Sequence, residues 1–292
     1  MTVTILIKGH EKDLGGGFVV RRYLPAAVKQ AVGPFIFFDH FGPVDVPADA
    51  NHDVRPHPHI GLATVTYLFE GAMDHRDSVG SVQRIEPGAI NWMTAGRGIV
   101  HSERTPADLA GVPHRTHGLQ LWAALPVAHE ETAPGFCHTP ADAIPEYTAA
   151  GVCVRVLVGS AFGLTSPVQT YSPTLYLDAM LQEGAELALE QLPAEAAIYP
   201  ISGEISVDGQ ALALHAMALL DTAAALKVSA HSEARFVLIG GAALDGHRYM
   251  SWNFVSSRKE RIVQASADWE AQRFDAVPGE TEFIPLPARL PR

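Results

Sequence analysis

A chain of 292 residues exceeds the usual size of one small domain, so two domains are expected. Hydrophobic residues at 47% supply a core, and charged residues at only 18% exclude a disordered chain. The formal net charge of −11, with Lys and Arg scattered, disfavours direct nucleic-acid binding, and no apolar run reaches the roughly 18 residues of a membrane span.

The N-terminal stretch from Met1 to Gly16 lacks the apolar region and cleavage site of a signal peptide, so a cytoplasmic location is expected. Gly15-Gly16-Gly17 reads as a surface turn. Short apolar or alternating runs then predict strands at Phe35–Phe38, Thr64–Phe69, Ala89–Met93 and Leu119–Ala123. Gly, Pro and Asp clusters separate them and no long helical period interrupts, which points to a sandwich or barrel.

From Pro134 to Ala150 the chain is rich in Pro, Ala and Gly and has no clear period. This predicts a first domain over 1–133, a linker over 134–150 and a second domain over 151–292. Strand-like runs resume at Val152–Val158, Thr174–Asp178, Ala197–Ile201, Glu204–Val207 and Phe236–Gly240. Ser257 to Phe274 reads as an amphipathic helix with Ile262, Ala265 and Trp269 on one face. Pro278 to Arg292 is Pro-rich and expected to be extended. The halves echo each other in the spacing Tyr67 to Gly71 and Tyr199 to Gly203, as a duplicated barrel would. The two cysteines, Cys137 and Cys153, form no Cys-x-x-Cys, and Cys153 between two valines is expected to be a buried thiol.

Two short patterns carry chemistry. In a strand, residues two apart share a face, so His57-Pro58-His59 would send both imidazoles into one interior. His101-Ser102-Glu103 repeats that geometry with one imidazole and one carboxylate. With 14 histidines in the chain a single pair arises readily by chance, but two pairs framed by Pro87-Gly88 and Gly98 can converge on one ion. Three imidazoles and a carboxylate leave two positions of an octahedron open, which suits Fe(II), Mn, Co, Ni or Cu better than zinc. His75-Arg76-Asp77 resembles a kinase catalytic loop but lacks its companions, and a buried polar turn is the expected reading. Trp92 and Met93 are expected to pack in the core.

The blocks His57 to Gly61, Thr64 to Leu68, Glu70 to Ser78 and Trp92 to Glu103 resemble the pirin signature, and Gly118 to Trp122 and Trp252 to Ser257 extend the likeness over nearly the whole chain. The resemblance implies an all-β bicupin: two antiparallel, jelly-roll-type barrels with a C-terminal helix. It implies one divalent metal, Fe(II), held in the first barrel by His57, His59, His101 and Glu103. Ala63 stands where many pirins carry a Glu near the site, a departure that bears on second-sphere hydrogen bonding. The activity implied is oxygen-dependent ring cleavage of a flavonol such as quercetin, with Glu103 also a candidate for proton handling. The alternative implied by the family is an iron-dependent redox sensor acting through protein partners. Aligning Tyr199 with Tyr67 puts Leu189 and Gln191 where His57 and His59 stand. The second barrel is therefore expected to be metal-free, with His231-Ser232-Glu233 a coincidence at a turn.

Overall fold

The computed structural model describes residues 2–14 and 18–288; the Gly15-Gly16-Gly17 turn and the last four residues of the Pro-rich tail lie outside the described residues. The architecture is the expected all-β bicupin, with antiparallel sheets and one C-terminal α-helix, Lys259–Glu270, among the described residues. The predicted strands are present, most of them longer than their apolar runs. Thr64–Phe69 lies within Leu62–Glu70, and Leu119–Ala123 within His114–Ala124. Some extensions are polar or glycine-containing, such as Glu70 and His117-Gly118, and are held by cross-strand pairing that a hydrophobic pattern does not mark.

The chain divides into two compact units. One comprises the described parts of Met1–Glu11, Arg21–Phe38 and Asp142–Ala243. Its seven-stranded sheet runs from Val3–Lys8 at one edge to Glu146–Ala149 at the other, and a four-stranded sheet includes Glu186–Leu189 and Leu226–Ala230. Alternate residues of both sheets, such as Val152, Val154 and Val156 on one and Leu187, Val207 and Val228 on the other, form a single apolar core. Cys153 alternates out of that core and is only half-buried, not the buried thiol expected, because Val152 and Val154 take the inward face. His231 spends its Nε2 on the Ser206 hydroxyl at 2.9 Å.

The other unit comprises the described parts of Lys12–Val20, Asp39–Ala141 and Leu244–Arg292. Its four-stranded sheet has the order Val54–His59, Ile99–Arg104, Met73–Asp77, Val82–Ile85. The facing sheet starts with Gly135–Thr139, Ile90–Thr94, Leu62–Glu70 and His114–Ala124, followed by Phe35–Val46, of which residues 39–46 belong to this unit.

This division differs from the sequence-based one in three ways. The described parts of Met1–Glu11 and Arg21–Phe38, expected in the first domain over 1–133, belong to the unit with Asp142–Ala243. Residues 134–150 contain two strands, one pairing with Ile90–Thr94 and the other with Val152–Val158. Both are edge strands of four or five residues, too short to show a period. The C-terminal helix belongs to the unit built on residues 39–141. Its buried face is the one expected, Ile262, Ala265 and Trp269, and it joins Ile60, Val100, Phe254 and Val277 in one cluster. Ile60 follows His59 and Val100 precedes His101, so the helix covers the apolar neighbours of two candidate ligands. Chain order alone does not reveal such a return. Gly61 permits the close approach of this C-terminal segment: its φ is +69°, and a Cβ there would lie 2.0 Å from the Val255 carbonyl oxygen.

Candidate metal centre

The strands Val54–His59 and Ile99–Arg104 run antiparallel with His57 directly opposite His101 and His59 opposite Ile99. The pleat turns His57, His59 and His101 to one face, and all three are buried. One ring nitrogen of each lies within 4.8 Å of the other two. The Nε2 atoms of His59 and His101 are 3.2 Å apart. Two imidazole donors sharing one ion at about 2.1 Å stand about 3.0–3.4 Å from each other, so the spacing fits a shared cation.

Protonation fits as well. Burial lowers the His57 pKa to about 4, against a smaller opposing effect of the Arg55 carbonyl. Burial also holds His59 and His101 well below the imidazole range, reinforced by the neighbouring histidines, His57 foremost. All three are therefore neutral at pH 7 and carry a free lone pair.

Two of the lone pairs are also aimed. His57 Nδ1 donates to the Arg55 carbonyl at 2.9 Å, which leaves Nε2 as the open nitrogen. His101 is fixed through a chain that begins at Asp77. The Asp77 carboxylate is fully buried and accepts from the backbone N–H of Val79 at 3.0 Å and of Ser81 at 2.9 Å. Burial alone would raise its pKa, but hydrogen bonds from His75 and Ser81 outweigh that and keep it ionised. His75 Nε2 donates to Asp77 at 3.0 Å, so His75 Nδ1 is an acceptor, and it faces His101 Nδ1 in a long contact of 3.4 Å. His101 then bears its proton on Nδ1 and its lone pair on Nε2, the atom facing His59. Carboxylate-to-histidine support of this kind sets ligand tautomer in metal sites. His75-Arg76-Asp77 is thus buried at His75 and Asp77, as expected, but as part of a strand and not a turn; the His-x-Asp alternation beside His-x-His was the available signal.

Glu103 is the fourth expected residue, and its carboxylate does not fall within the 4.8 Å limit that unites the three imidazoles. Pairing with Val54–His59 shifts register between His101 and Glu103, so Glu103 is not carried forward in step with its strand partner. On its other side it lies opposite His75. Loss of solvation pushes its carboxyl up to about 7, and it has no hydrogen-bond or ion-pair partner among the described residues. The outward side of the same strand is pinned by the C-terminal tail. Glu280 accepts from the Ser102 hydroxyl and pairs with Arg104, while Ile284 N–H donates to the Pro56 carbonyl at 2.8 Å.

Ala63 is fully buried but alternates away from the site. Thr64 and its partner Trp122 occupy the face whose Trp122 ring lies 5.2 Å from His59, and Ala63 points to the opposite face with Val65. The effect on second-sphere hydrogen bonding raised by the sequence therefore has no geometric basis. Trp92 and Met93 are buried as expected.

The donor set and fold together define a bicupin with a three-histidine group able to hold a metal ion in one barrel. The Pirin family model matches residues 17–123, and the Pirin C-terminal cupin domain matches residues 176–275. The chain is 44% identical to a pirin-like protein of Caulobacter vibrioides over 98% of this chain and 99% of that one. It is 35% identical to pirin of Mus musculus, covering 91% of each. A crystal structure of quercetin 2,3-dioxygenase from Acinetobacter baumannii superposes with a TM-score of 0.91 at 33% identity, covering 99% of this chain and 96% of that one. The protein belongs to the pirin family. No helix among the described residues is long and apolar enough to cross a membrane.

Proposed function

We propose that this pirin is a metal-dependent dioxygenase that opens the ring of a flavonol such as quercetin. The observation that carries the reading is the buried cluster of three neutral imidazoles, each with its lone pair free, beside an unpartnered carboxylate of raised pKa. The likeness to the Acinetobacter baumannii quercetin 2,3-dioxygenase supports the substrate class. The ion proposed is a divalent one, Fe(II), held by His57, His59, His101 and Glu103. When bound, it acidifies the flavonol hydroxyl and brings the flavonol and O2 together.

The protein's own groups do the rest. His57 and His101 keep their tautomers through Arg55 and the His75–Asp77 pair, so no reorganisation is needed when substrate arrives. Glu103, with a pKa near 7, is suited to take the proton that the flavonol hydroxyl releases; coordination to the ion lowers that basicity, so the two roles compete. Trp122 presents an aromatic wall 5.2 Å from His59 against which a planar substrate can lie.

The test is anaerobic reconstitution with Fe(II), followed by oxygen uptake with quercetin. Uptake matched by flavonol loss and carbon monoxide release, and abolished in His59→Ala and Glu103→Gln proteins that remain folded, is the expected result. A fully metallated protein that leaves a panel of flavonols untouched would move the assignment to the redox-sensing role, read as partner affinity that follows the metal's oxidation state.

A further inference from the structure

The barrel that holds the histidine cluster carries a second set of polar side chains that metal binding leaves unused. On the larger sheet, cross-strand pairing places Trp122, Thr64, Met93 and Phe136 in one row. This row meets the opposite sheet at both ends. Trp122 lies 5.2 Å from His59, and Phe136 stacks on His75 with ring centroids 4.2 Å apart. Residues two apart on a strand share a face. The next row on that face is therefore Gln120, Thr66, Asn91 and His138, paired in the same order. It stands one pleat repeat, about 7 Å, along the strands from the first. One repeat further, Leu68 packs with Phe41, Val20 and Ile85 and closes that end with an apolar cluster.

A polar row between an apolar plug and an aromatic wall needs an explanation. Asn91 is 2% exposed and Thr66 4%. Internal hydrogen bonds satisfy only part of the row. Thr66 Oγ1 donates to Gln120 Oε1 at 2.8 Å, and His138 Nδ1 donates to Asn91 Oδ1 at 2.7 Å. The second bond fixes the Asn91 amide with its oxygen toward His138 and its Nδ2 turned away. That Nδ2 is buried and has no partner among the described residues. A buried amide left unpaired is destabilising, and a near-isosteric leucine at this position would avoid the cost. Gln120 and His138, at the two ends of the row, are each partly exposed, so the row is not sealed from solvent.

We infer that this row is a hydroxyl-reading subsite. Asn91 Nδ2 donates to a phenolic oxygen of an aromatic ligand whose metal-binding oxygens lie at His57, His59 and His101. His138 is the positioning residue that holds the amide for that contact. The inference rests on the flavonol reading and adds which hydroxyls are sensed: those remote from the pair that meets the metal.

The experiment is anaerobic binding of two ligands to the Fe(II)-loaded protein, followed by quenching of tryptophan fluorescence. Quercetin carries remote hydroxyls, whereas 3-hydroxyflavone keeps only the chelating hydroxyl and carbonyl. Asn91→Leu should weaken quercetin about 5–20-fold, the worth of one or two hydrogen bonds, and leave 3-hydroxyflavone within twofold. His138→Phe should act in the same direction and less strongly. Metal content reports that the site is intact; if Asn91→Leu fails to retain metal, Asn91→Ser and His138→Phe carry the same comparison. Equal weakening of both ligands, or an unchanged quercetin affinity, overturns the subsite. Selective weakening without any oxygen consumption by the wild type leaves the subsite standing and removes the dioxygenase reading. Failure of the wild type to bind either ligand removes both.

Discussion

Replacing Asp77 by asparagine should reverse the proton order along the chain that supports His101. The Val79 and Ser81 N–H groups both donate to Asp77 Oδ1 and will select the oxygen of the new amide. The amide NH2 then occupies the place of Oδ2 and donates to His75 Nε2, which at present donates to Oδ2 at 3.0 Å. His75 must move its proton to Nδ1, and across the 3.4 Å contact His101 must accept at Nδ1 and carry its own proton on Nε2. That is the nitrogen 3.2 Å from His59 Nε2, the one required for metal binding. The expected loss is about 10–100-fold in divalent-metal affinity, the range for outer-sphere partners. The fold should lose about 1–1.5 kcal/mol, since a charge-assisted hydrogen bond becomes a neutral one of about half its strength and the N–H contacts stay. Competition with a chromophoric chelator measures the first quantity and urea denaturation of the metal-free protein the second. His75→Ala should lower affinity without imposing the wrong tautomer, and therefore by less than Asp77→Asn. Affinity of Asp77→Asn within twofold of wild type, with stability lowered as stated, would refute the tautomer argument and leave Asp77 a purely structural anchor.

Other outcomes follow from the same geometry. A His57→Ala, His101→Ala double variant should retain no stoichiometric metal by elemental analysis, because two of the three clustered imidazoles are gone. Gly61→Ala combines a φ of +69° with a Cβ 2.0 Å from the Val255 carbonyl oxygen, so it should cost at least 2–3 kcal/mol in denaturant unfolding and expose Trp269 to quencher; an unperturbed midpoint contradicts the close packing of the C-terminal segment. Metal-stripped protein should lose stability on acidification. The His57 pKa is lowered in the fold, to about 4 from 6.5, so the unfolded chain takes up a proton first as pH falls below 6.5, and the cost grows to about 3 kcal/mol by pH 4. His59 and His101 act in the same direction. Glu103, raised to about 7 from 4.5, acts oppositely, its contribution present below pH 4.5 and lost as pH rises through 7, but it is one group against three. Urea midpoints at pH 7.5 and 5.0 decide the sign, and a higher midpoint at pH 5.0 contradicts the assignment.

The centre was legible where alternation in a strand is short-range. His57, His59 and His101 sit on one face because the pleat has period two, and two adjacent His-x-His or His-x-Glu pairs need only one correct pairing of strands to meet. Glu103 lies two residues from His101 on the same strand, yet its carboxylate does not join the group of three imidazoles, and no sequence pattern marks the register shift against Val54–His59 between them. His75 and Asp77 share the same alternation as the clustered histidines but were masked by a chance likeness to another motif. The polar row at Gln120, Thr66, Asn91 and His138 draws one residue from each of four strands, so it exists only after the sheet's registers are known. The strands of 134–150 and the allegiance of the helix were hidden because both are settled by partners far away in sequence. The apolar face Ile262, Ala265 and Trp269 could be read from spacing, but its partners Ile60 and Val100 could not.

The return of residues 244–288 to the unit that carries the three-histidine group bears on synthesis at the ribosome. Ile60, Val100 and the Pro56 carbonyl are translated early, yet the groups that cover them, Phe254, Ile262, Trp269 and Ile284, are among the last to be made. A nascent chain that has completed the His57, His59 and His101 strands still shows water an apolar flank beside them. Those strands end at Arg104, and the first covering residue, Phe254, comes 150 residues later (254 − 104). A chain cut short before Phe254 would hold those strands without their cover, an exposed apolar flank of the kind that draws proteolysis.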